Sequence, residues 1–322
     1  TRLPCDRKIE GARALAAHWG LFLVPSLHKS LKPEIQTSYA LCWSDHSTFK
    51  SIGFDKPGIK VRMCVLAHTD RHISMSKLSG KVAIVTGASK GIGAAIAKAL
   101  AAEGAAIVVN YASSKSGADA VVAAIASSGG KAVAVQGDVS RKADAQAIVD
   151  AAITQFGRLD ILVNNSGVYE FASIDEITEE HFHRLFNINV LGTLLTTQAA
   201  SKHLGNGGSV INISSVASRI TPPNSAVYTG TKGAVDAITG SLARELGPRN
   251  IRVKAINPGL IETEGTKTAN VVGSEMEQFI SSQTPLGRVG QVQYIAPLAV
   301  FLASDDARWL TGETLIASGG LV

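Results

Sequence analysis

The chain has 322 residues, of which 45% are hydrophobic and 18% charged, which is typical of a globular protein with a large core. No stretch approaches the roughly 18 uninterrupted apolar residues that a membrane span needs, so we expect no membrane anchor. The formal net charge of +5 would suit a polyanionic partner, but its distribution argues against one.

The positive charge belongs to the first 74 residues. They contain 11 Lys/Arg and 6 Asp/Glu, and the other 248 residues contain 20 charges of each sign. Cys5, Cys42 and Cys64 also lie in this segment, without metal-ligand spacing. For the remainder we therefore expect no nucleic-acid partner, no metal site and a reducing cytoplasm.

The composition changes near Met75, where the chain becomes rich in Gly, Ala and Val. We interpret 1–74 as an N-terminal extension and 75–322 as one domain. Three interpretations of the extension stay open: an upstream region that is no native domain, a small accessory segment, or a targeting peptide. Its six acidic residues disfavour the targeting peptide.

From residue 78 onward, strand-like and helix-like segments alternate, which predicts an α/β fold with a doubly wound parallel sheet of the Rossmann type. The predicted strands cover 81–86, 106–111, 132–136, 161–164, 209–214, 252–256 and 314–317. The predicted helices cover 92–103, 117–127, 141–156, 179–204 and 228–246. Such sheets bind ligands at the carboxyl ends of their strands.

A glycine-rich loop joins the first predicted strand to the first helix. Its glycines permit a tight turn beside a pyrophosphate, and the helix N-terminus supplies free N–H groups. The residues assigned to it are Gly87, Ser89, Lys90, Gly91, Ile92 and Gly93. The second strand ends without the acid that holds the ribose of NAD, and its end residues Asn110, Tyr111, Ala112, Ser113 and Lys115 favour NADP(H), whose 2′-phosphate Ser113, Lys115 and Lys90 would bind.

A second set of polar residues predicts proton transfer. Tyr228 and Lys232 are four residues apart on a predicted helix, and Ser215 precedes Tyr228 by thirteen residues. A lysine ammonium should lower the tyrosine pKa, and a serine hydroxyl can bind a carbonyl oxygen. Alone, each feature is usually a packed aromatic residue or a turn; together with the nucleotide loop they indicate chemistry on a carbonyl/alcohol pair.

These motifs resemble those of the short-chain dehydrogenase/reductase family across 75–322. The resemblance adds roles that the spacing does not give: a water held by Asn189, adenine contacts, a loop beside the cofactor and nicotinamide contacts. The residues it implies are Asp138, Val139, Asn164, Ser166, Gly167, Tyr228, Lys232, Pro258, Gly259, Ile261 and Thr263. It also implies a homotetramer formed through the helices near 179–204 and 228–246.

The substrate stays open at this stage. The resemblance extends to 3-oxoacyl-[acyl-carrier-protein] reductase-like and fungal naphthol reductase-like proteins. The residues expected to face the substrate are mostly apolar: Val168, Tyr169, Phe171, Val216, Asn224 and 260–285. Arg249 and Arg252 are candidates for a basic patch that would bind an acyl carrier. We favour a free small ketone or aldehyde, with sugar (glucose) 1-dehydrogenation and a non-enzymatic NADP(H) sensor or scaffold as alternatives.

Overall fold

The structure is a computed structural model that describes residues 50–56, 59–65, 76–268, 271 and 273–322. Contacts divide the chain into two units, Thr1–Ile73 and Ser74–Val322. In the first unit, β1 (Lys50–Lys56) and β2 (Ile59–Val65) form an antiparallel hairpin. The hypotheses on the rest of 1–74 concern residues outside this description and stay predictions.

The second unit is built on a parallel seven-stranded sheet, which confirms the predicted doubly wound α/β fold. Its strands are β3 (Val82–Val85), β4 (Ala106–Tyr111), β5 (Lys131–Gln136), β6 (Leu159–Asn164), β7 (Leu204–Ile213), β8 (Arg252–Pro258) and β11 (Thr314–Ala317). They are arranged in the order β11-β8-β7-β6-β3-β4-β5. The order reverses between the first strand of the unit, β3, and β6, and this point is where such sheets bind ligands. A short parallel pair, β9 (Ile261–Glu262) and β10 (Gly290–Gln291), lies apart from this sheet.

Helices cover both faces of the sheet. Successive strand residues point to opposite sides, and those on both sides are apolar and buried. Ala83 and Val85 belong to one buried cluster, whereas Val82 and Ile84 belong to the other. The helices are α1 (Gly91–Ala102), α2 (Lys115–Ser127), α3 (Lys142–Phe156), α4 (Glu179–Phe186), α5 (Gly192–Ser201), α6 (Ala217–Ile220), α7 (Ala226–Leu246), α8 (Glu264–Thr268), α9 (Glu275–Gln283) and α10 (Val292–Ala303). In the described part of the chain, none of the helices has both the length and the apolar character that a membrane crossing demands.

The helix predicted over 179–204 is interrupted. α4 and α5 are joined by a π-helical turn over Asn187–Leu191. Such turns often occur at functional sites, and this one carries Asn189, whose side chain is buried. The amphipathic pattern on either side continues through the turn, so the sequence periodicity did not reveal it.

α10 is not among the predicted helices, and it contains Pro297, a residue type that normally breaks a helix. Two buried basic side chains hold the C-terminal carbonyls of α10. Arg252 donates to the Ala303 and Ser304 oxygens (3.3 and 3.2 Å), and Lys254 donates to the Leu302 oxygen (2.7 Å). The proposed place of Arg252 in an exposed basic patch is therefore wrong, since its side chain caps a helix inside the protein.

Lys254 makes the stability of the fold depend on pH. Burial, with a smaller effect of the neighbouring Arg252, lowers the pKa of Lys254 from 10.5 to about 6. Between these values the unfolded chain holds one more proton than the folded one, so stability rises with pH by about 1.4 kcal/mol per unit. We predict that Lys254→Met removes this slope in urea denaturation measured from pH 6 to 9.

The Leu302 oxygen keeps hydrogen bonds from Arg252 and Ser209 in this variant (2.9 and 3.0 Å), so the change isolates the ionisable group. Lys98→Met, at an exposed position of α1, is the control and should keep the wild-type slope. Equal slopes in wild type and Lys254→Met would contradict the assignment of the slope to Lys254.

Candidate active site

The glycine-rich loop between β3 and α1 has the backbone that the sequence predicts. Gly87 and Gly91 both have φ of +60°, in the left-handed region that favours glycine. A Cβ atom on Gly93 would lie 2.7 Å from the Gly87 oxygen, so a larger residue would displace the turn. The steric reason for all three glycines is thus visible in the fold.

Two residues that were given no separate role hold this loop in place. Asn165 donates to the Thr86 and Gly87 oxygens (2.8 and 3.1 Å). The Thr86 hydroxyl oxygen accepts from the Asn165 and Ser166 amides (3.0 and 2.9 Å). The repeated asparagine in Asn164-Asn165 was the sequence signal for this support, because one amide faces the interior and the other faces the loop.

The N-terminus of α1 fits an anionic group. Its first turn contains no acid, and Lys90 provides no side-chain cap. Instead, the Gly91 amide donates to the Glu264 carboxylate across the site (3.0 Å). A carboxylate from a distant segment therefore stands where a pyrophosphate would bind, and it serves as an internal indication that this end of the helix accepts negative charge.

The residues predicted at the end of β4 divide into two groups. Asn110 is buried, accepts from the Gly87 amide (3.2 Å) and donates to the Gly137 oxygen (3.0 Å), and Tyr111 lies in the core. Ala112, Ser113 and Lys115 are exposed, as is Lys90 of the glycine-rich loop, and Lys115 is paired with Asp119 (2.7 Å). The first group shapes the loop, and the second borders solvent where a ribose phosphate would lie.

Several side chains assigned by resemblance are already bonded within the protein. Asp138 accepts from the Ser140 amide and hydroxyl (2.9 and 2.7 Å). Val139 packs against Gly192, where a Cβ atom would lie 3.2 Å from that of Val139. Asn164 donates to Thr197 and Asn212 (both 2.9 Å). Contacts of Asn164 with a nucleotide would therefore involve mainly its backbone or an exchange of partners, whereas both of these bonds to Asp138 end on one carboxylate oxygen and do not use the other.

The residues beyond β8 approach the glycine-rich loop. Pro258 ends the strand, and a Cβ atom on Gly259 would lie 2.9 Å from the Ser318 Cα atom. Ile261 is buried. The Thr263 Cβ atom lies 3.5 Å from the position that a Gly91 Cβ would take. Residues predicted from opposite ends of the domain thus line one site.

Tyr228 and Lys232 share one face of α7 beside Ser215, which follows β7. The Lys232 ammonium is buried, donates to the Ile213 oxygen (3.0 Å) and lies 5.8 Å from the centre of the Tyr228 ring. Burial lowers the pKa of Lys232 to about 8, and the negative charge of Asp236 opposes this effect. At neutral pH the lysine is mostly protonated and can act on the phenol electrostatically.

The expected lowering of the Tyr228 pKa by Lys232 is not what this structure gives. Burial raises the pKa of Tyr228, and a hydrogen bond with the Ser215 hydroxyl opposes the rise. The Ser215 oxygen also accepts from the Ala217 amide (3.1 Å), which fixes its position. Ser215 is thus the group that favours the phenolate in this arrangement.

Asn189 joins this cluster through its side chain. Its oxygen accepts from the Val168 amide (2.8 Å), and its nitrogen donates to the Val168 oxygen and the Thr231 hydroxyl (2.9 and 3.0 Å). Both side-chain donor hydrogens are therefore used within the protein. The Asn189 amide clamps the segment after β6 against α7, and the prediction that it holds a water stays a prediction.

Aromatic rings border the tyrosine on the solvent side. Phe171 contacts Tyr228 edge to face with ring centres 6.0 Å apart, and Tyr169 lies 6.3 Å from Phe171. Both rings are about half exposed, at 46% and 40%. Val216, also expected at the substrate, is buried. The entrance is therefore apolar and aromatic on this side.

Comparisons with known proteins agree with this arrangement. Residues 87–322 match the family described as enoyl-(acyl carrier protein) reductase. An uncharacterized oxidoreductase of Methylorubrum extorquens is 68% identical over 247 residues, which are 77% of this chain and 100% of the relative. A probable tetrahydroxynaphthalene reductase of Zymoseptoria tritici is 38% identical over 77% of this chain and 97% of its own length.

A solved structure matches over the same region. A short chain dehydrogenase from Burkholderia cenocepacia in complex with NADP has a TM-score of 0.72 and 36% identity, and the match covers 76% of this chain and 99% of that one. The fold, the glycine-rich loop and these relatives confirm the resemblance drawn from the motifs. The chain belongs to the short-chain dehydrogenase/reductase family of oxidoreductases.

Proposed function

We propose that residues 75–322 interconvert a carbonyl and a secondary alcohol with NADP(H), and that Tyr228 transfers the proton. The observation that carries this proposal is the grouping of Tyr228, Ser215 and the buried Lys232 ammonium beside the glycine-rich loop. Bound NADP(H) would supply or accept the hydride. Ser215 would donate to the carbonyl oxygen, and Tyr228 would give that oxygen its proton.

Two observations support NADP(H) over NAD(H). The segment from Asn110 to Lys115 contains no acid, and the matched dehydrogenase of Burkholderia cenocepacia binds NADP. Ser113 and Lys90 are exposed beside the loop and would hold the 2′-phosphate. Lys115 can join them, because an exposed ion pair such as that with Asp119 is weak and exchangeable.

For the substrate we propose a free ketone that carries a flat apolar ring. The half-exposed rings of Tyr169 and Phe171 beside Tyr228 would stack on such a ring, and one relative is named for a hydroxylated naphthalene. An acyl carrier protein is disfavoured, because Arg252 is buried, so that of the two candidates for a basic patch Arg249 alone is exposed.

The test is NADPH consumption by the purified protein with bicyclic aromatic ketones, small aliphatic ketones, and β-ketoacyl and α,β-unsaturated thioesters, together with NADPH formation from NADP⁺ with sugars. We predict the highest kcat/KM for the bicyclic ketones. Tyr228→Phe should lower kcat by roughly 10²- to 10⁴-fold, because the proton donor is lost, while NADPH affinity stays within about twofold.

Tyr294→Phe is the matched control, since this exposed ring lies under Arg288 (4.8 Å). Wild-type turnover in Tyr228→Phe would refute the proposed mechanism. Tight NADPH binding without turnover of any substrate would indicate a sensor or scaffold, and preference for an unsaturated thioester would indicate enoyl reduction.

Glu264 gives a prediction about cofactor affinity. Its carboxylate occupies the Gly91 amide that a pyrophosphate would need, so the two negative groups compete. We expect Glu264→Gln to bind NADPH about two- to fivefold more tightly at low salt, as removal of one charge near a helix N-terminus implies, in isothermal titration calorimetry. Glu262→Gln is the control, because that carboxylate is paired with Lys267 (2.8 Å). Weaker binding by Glu264→Gln would contradict competition; NADH bound better than NADPH by wild type would contradict the cofactor preference.

We further propose that the protein is a cytoplasmic homotetramer. The absence of cysteine after residue 74 supports the reducing compartment. Three partly exposed apolar side chains support assembly through the region 179–201, namely Phe182, Leu191 and Leu194.

Leu194→Glu should lower the mass measured by light scattering from four chains to two or one, because it would bury an unpaired charge in the interface. Ile174→Glu, at an 80% exposed position, is the control and should keep the wild-type mass. A monomeric wild type would contradict the proposal.

A further inference from the structure

Asp236 is an acid of α7 that the proposed chemistry does not use. It lies one helical turn beyond Lys232 and is partly buried. Its carboxylate accepts a 2.6 Å hydrogen bond from the Ser218 hydroxyl. It also accepts from the Asn257 amide nitrogen, which lies 3.2 and 3.0 Å from its two oxygens. Asp236 thus gathers donors from α6 and from the end of β8.

Asn257 connects this carboxylate to Ser215. Its nitrogen lies 3.3 Å from the Ser215 carbonyl oxygen and 3.2 Å from the Ser218 hydroxyl oxygen, so one of its two hydrogens can serve the Asp236 carboxylate while the other is shared between that carbonyl and that hydroxyl. The Ser218 hydroxyl lies 3.0 Å from the same carbonyl oxygen, but it has a single hydrogen. We assign this hydrogen to the shorter bond with the Asp236 carboxylate, because that acceptor is charged. The amide of Asn257 is therefore the bridge between Asp236 and the Ser215 backbone.

The orientation of this amide depends on the charge of Asp236. Asn257 is fully buried, and its side-chain oxygen accepts no hydrogen bond from any residue that the structure describes. If the amide were turned over, its oxygen would face the Asp236 carboxylate and would still lack a hydrogen-bond donor. An unsatisfied buried oxygen is tolerated here because the charge-assisted bond on the other side is stronger.

We propose that Asp236 is a positioning residue, whose carboxylate orients Asn257 and thereby holds the Ser215 backbone for its contact with Tyr228. This inference rests on the proposed function for its kinetic consequence, and on the hydrogen bonds alone for its structural one. Asp236 also acts on Lys232 through its charge. The other groups against the Lys232 ammonium are the Tyr228 phenol, the Ile213 carbonyl, and Gly167 with the Asn189 amide, and of these only Tyr228 titrates.

Amide hydrogen exchange of the cofactor-free protein tests the structural part without any substrate. In Asp236→Asn we expect exchange at the Val216 and Ser218 amides to rise by about fivefold or more, because their bonds to the Pro258 and Ser215 oxygens lose support. Asp236→Glu should restore part of the protection. Asp150→Asn, an exposed acid on α3 that accepts from Gln146 (2.8 Å), should match the wild type. Unchanged exchange in Asp236→Asn overturns the proposal.

Kinetics then test the link to the reaction. Asp236→Asn should lower kcat about tenfold, with NADPH affinity within about twofold of wild type. We expect kcat to fall at high pH as Lys232 loses its proton. In Asp236→Asn this fall should occur at lower pH, because loss of the Asp236 charge lowers the pKa of Lys232 further. Glutamate should recover the wild-type profile. A uniform loss at all pH values, with no recovery by glutamate, overturns a positioning role; a wild type that reduces no carbonyl contradicts the proposed function and leaves the exchange result to decide the structural part.

Discussion

Buried amide groups at the carboxyl ends of the central strands determine the shape of the catalytic edge. β4, β6, β7 and β8 each carry a buried asparagine near this end, Asn110, Asn164, Asn212 and Asn257. A buried amide without partners costs several kcal/mol, so each one constrains the neighbouring loop or helix to supply hydrogen-bond partners, although the Asn257 oxygen has none among the described residues. Asn110 binds the glycine-rich loop, Asn164 and Asn212 bind each other and the helices α5 and α7, and Asn257 binds the backbone at Ser215.

These contacts explain why the site is rigid where chemistry needs it. α7 carries Tyr228 and Lys232, and it is fixed to the sheet by the Asn212–Thr239 hydrogen bond (2.9 Å) and to the segment after β6 by Asn189 and Thr231 (3.0 Å). The tyrosine therefore does not rely on surface contacts for its position. On the solvent side, by contrast, Tyr169 and Phe171 remain half exposed, so the same scaffold can present different walls to different substrates.

The sequence predicted the sheet and the helices α1 to α5 and α7, and it singled out the residues that the fold brings together in the candidate site, because strand and helix periodicities and glycine spacing are local signals. It could not predict that Lys254 would be buried with its pKa lowered to about 6, since a lysine in a strand normally reaches solvent. The π-helical turn at Asn187–Leu191 likewise results from tertiary packing. So does the position of Arg252, which caps a helix where the sequence suggested a surface patch. The Glu264 carboxylate binds the Gly91 amide, which is 173 residues away in the sequence. The Asp236 carboxylate on α7 binds the Asn257 amide on β8. No rule of sequence spacing predicts either contact.

The most direct test of the central claim, that Tyr228 protonates an oxygen beside bound NADP(H), is the fate of an isotope. The protein is incubated with a bicyclic aromatic ketone and NADPH deuterated at the transferable position of its nicotinamide ring, and the product is analysed by mass spectrometry and NMR. We predict one deuterium on the carbinol carbon in the wild-type product, and formation of this product by Tyr228→Phe that is slower by roughly 10²-fold or more because the proton donor is lost. Deuterium at a carbon next to an intact carbonyl, or none in the product, would contradict carbonyl reduction at this site.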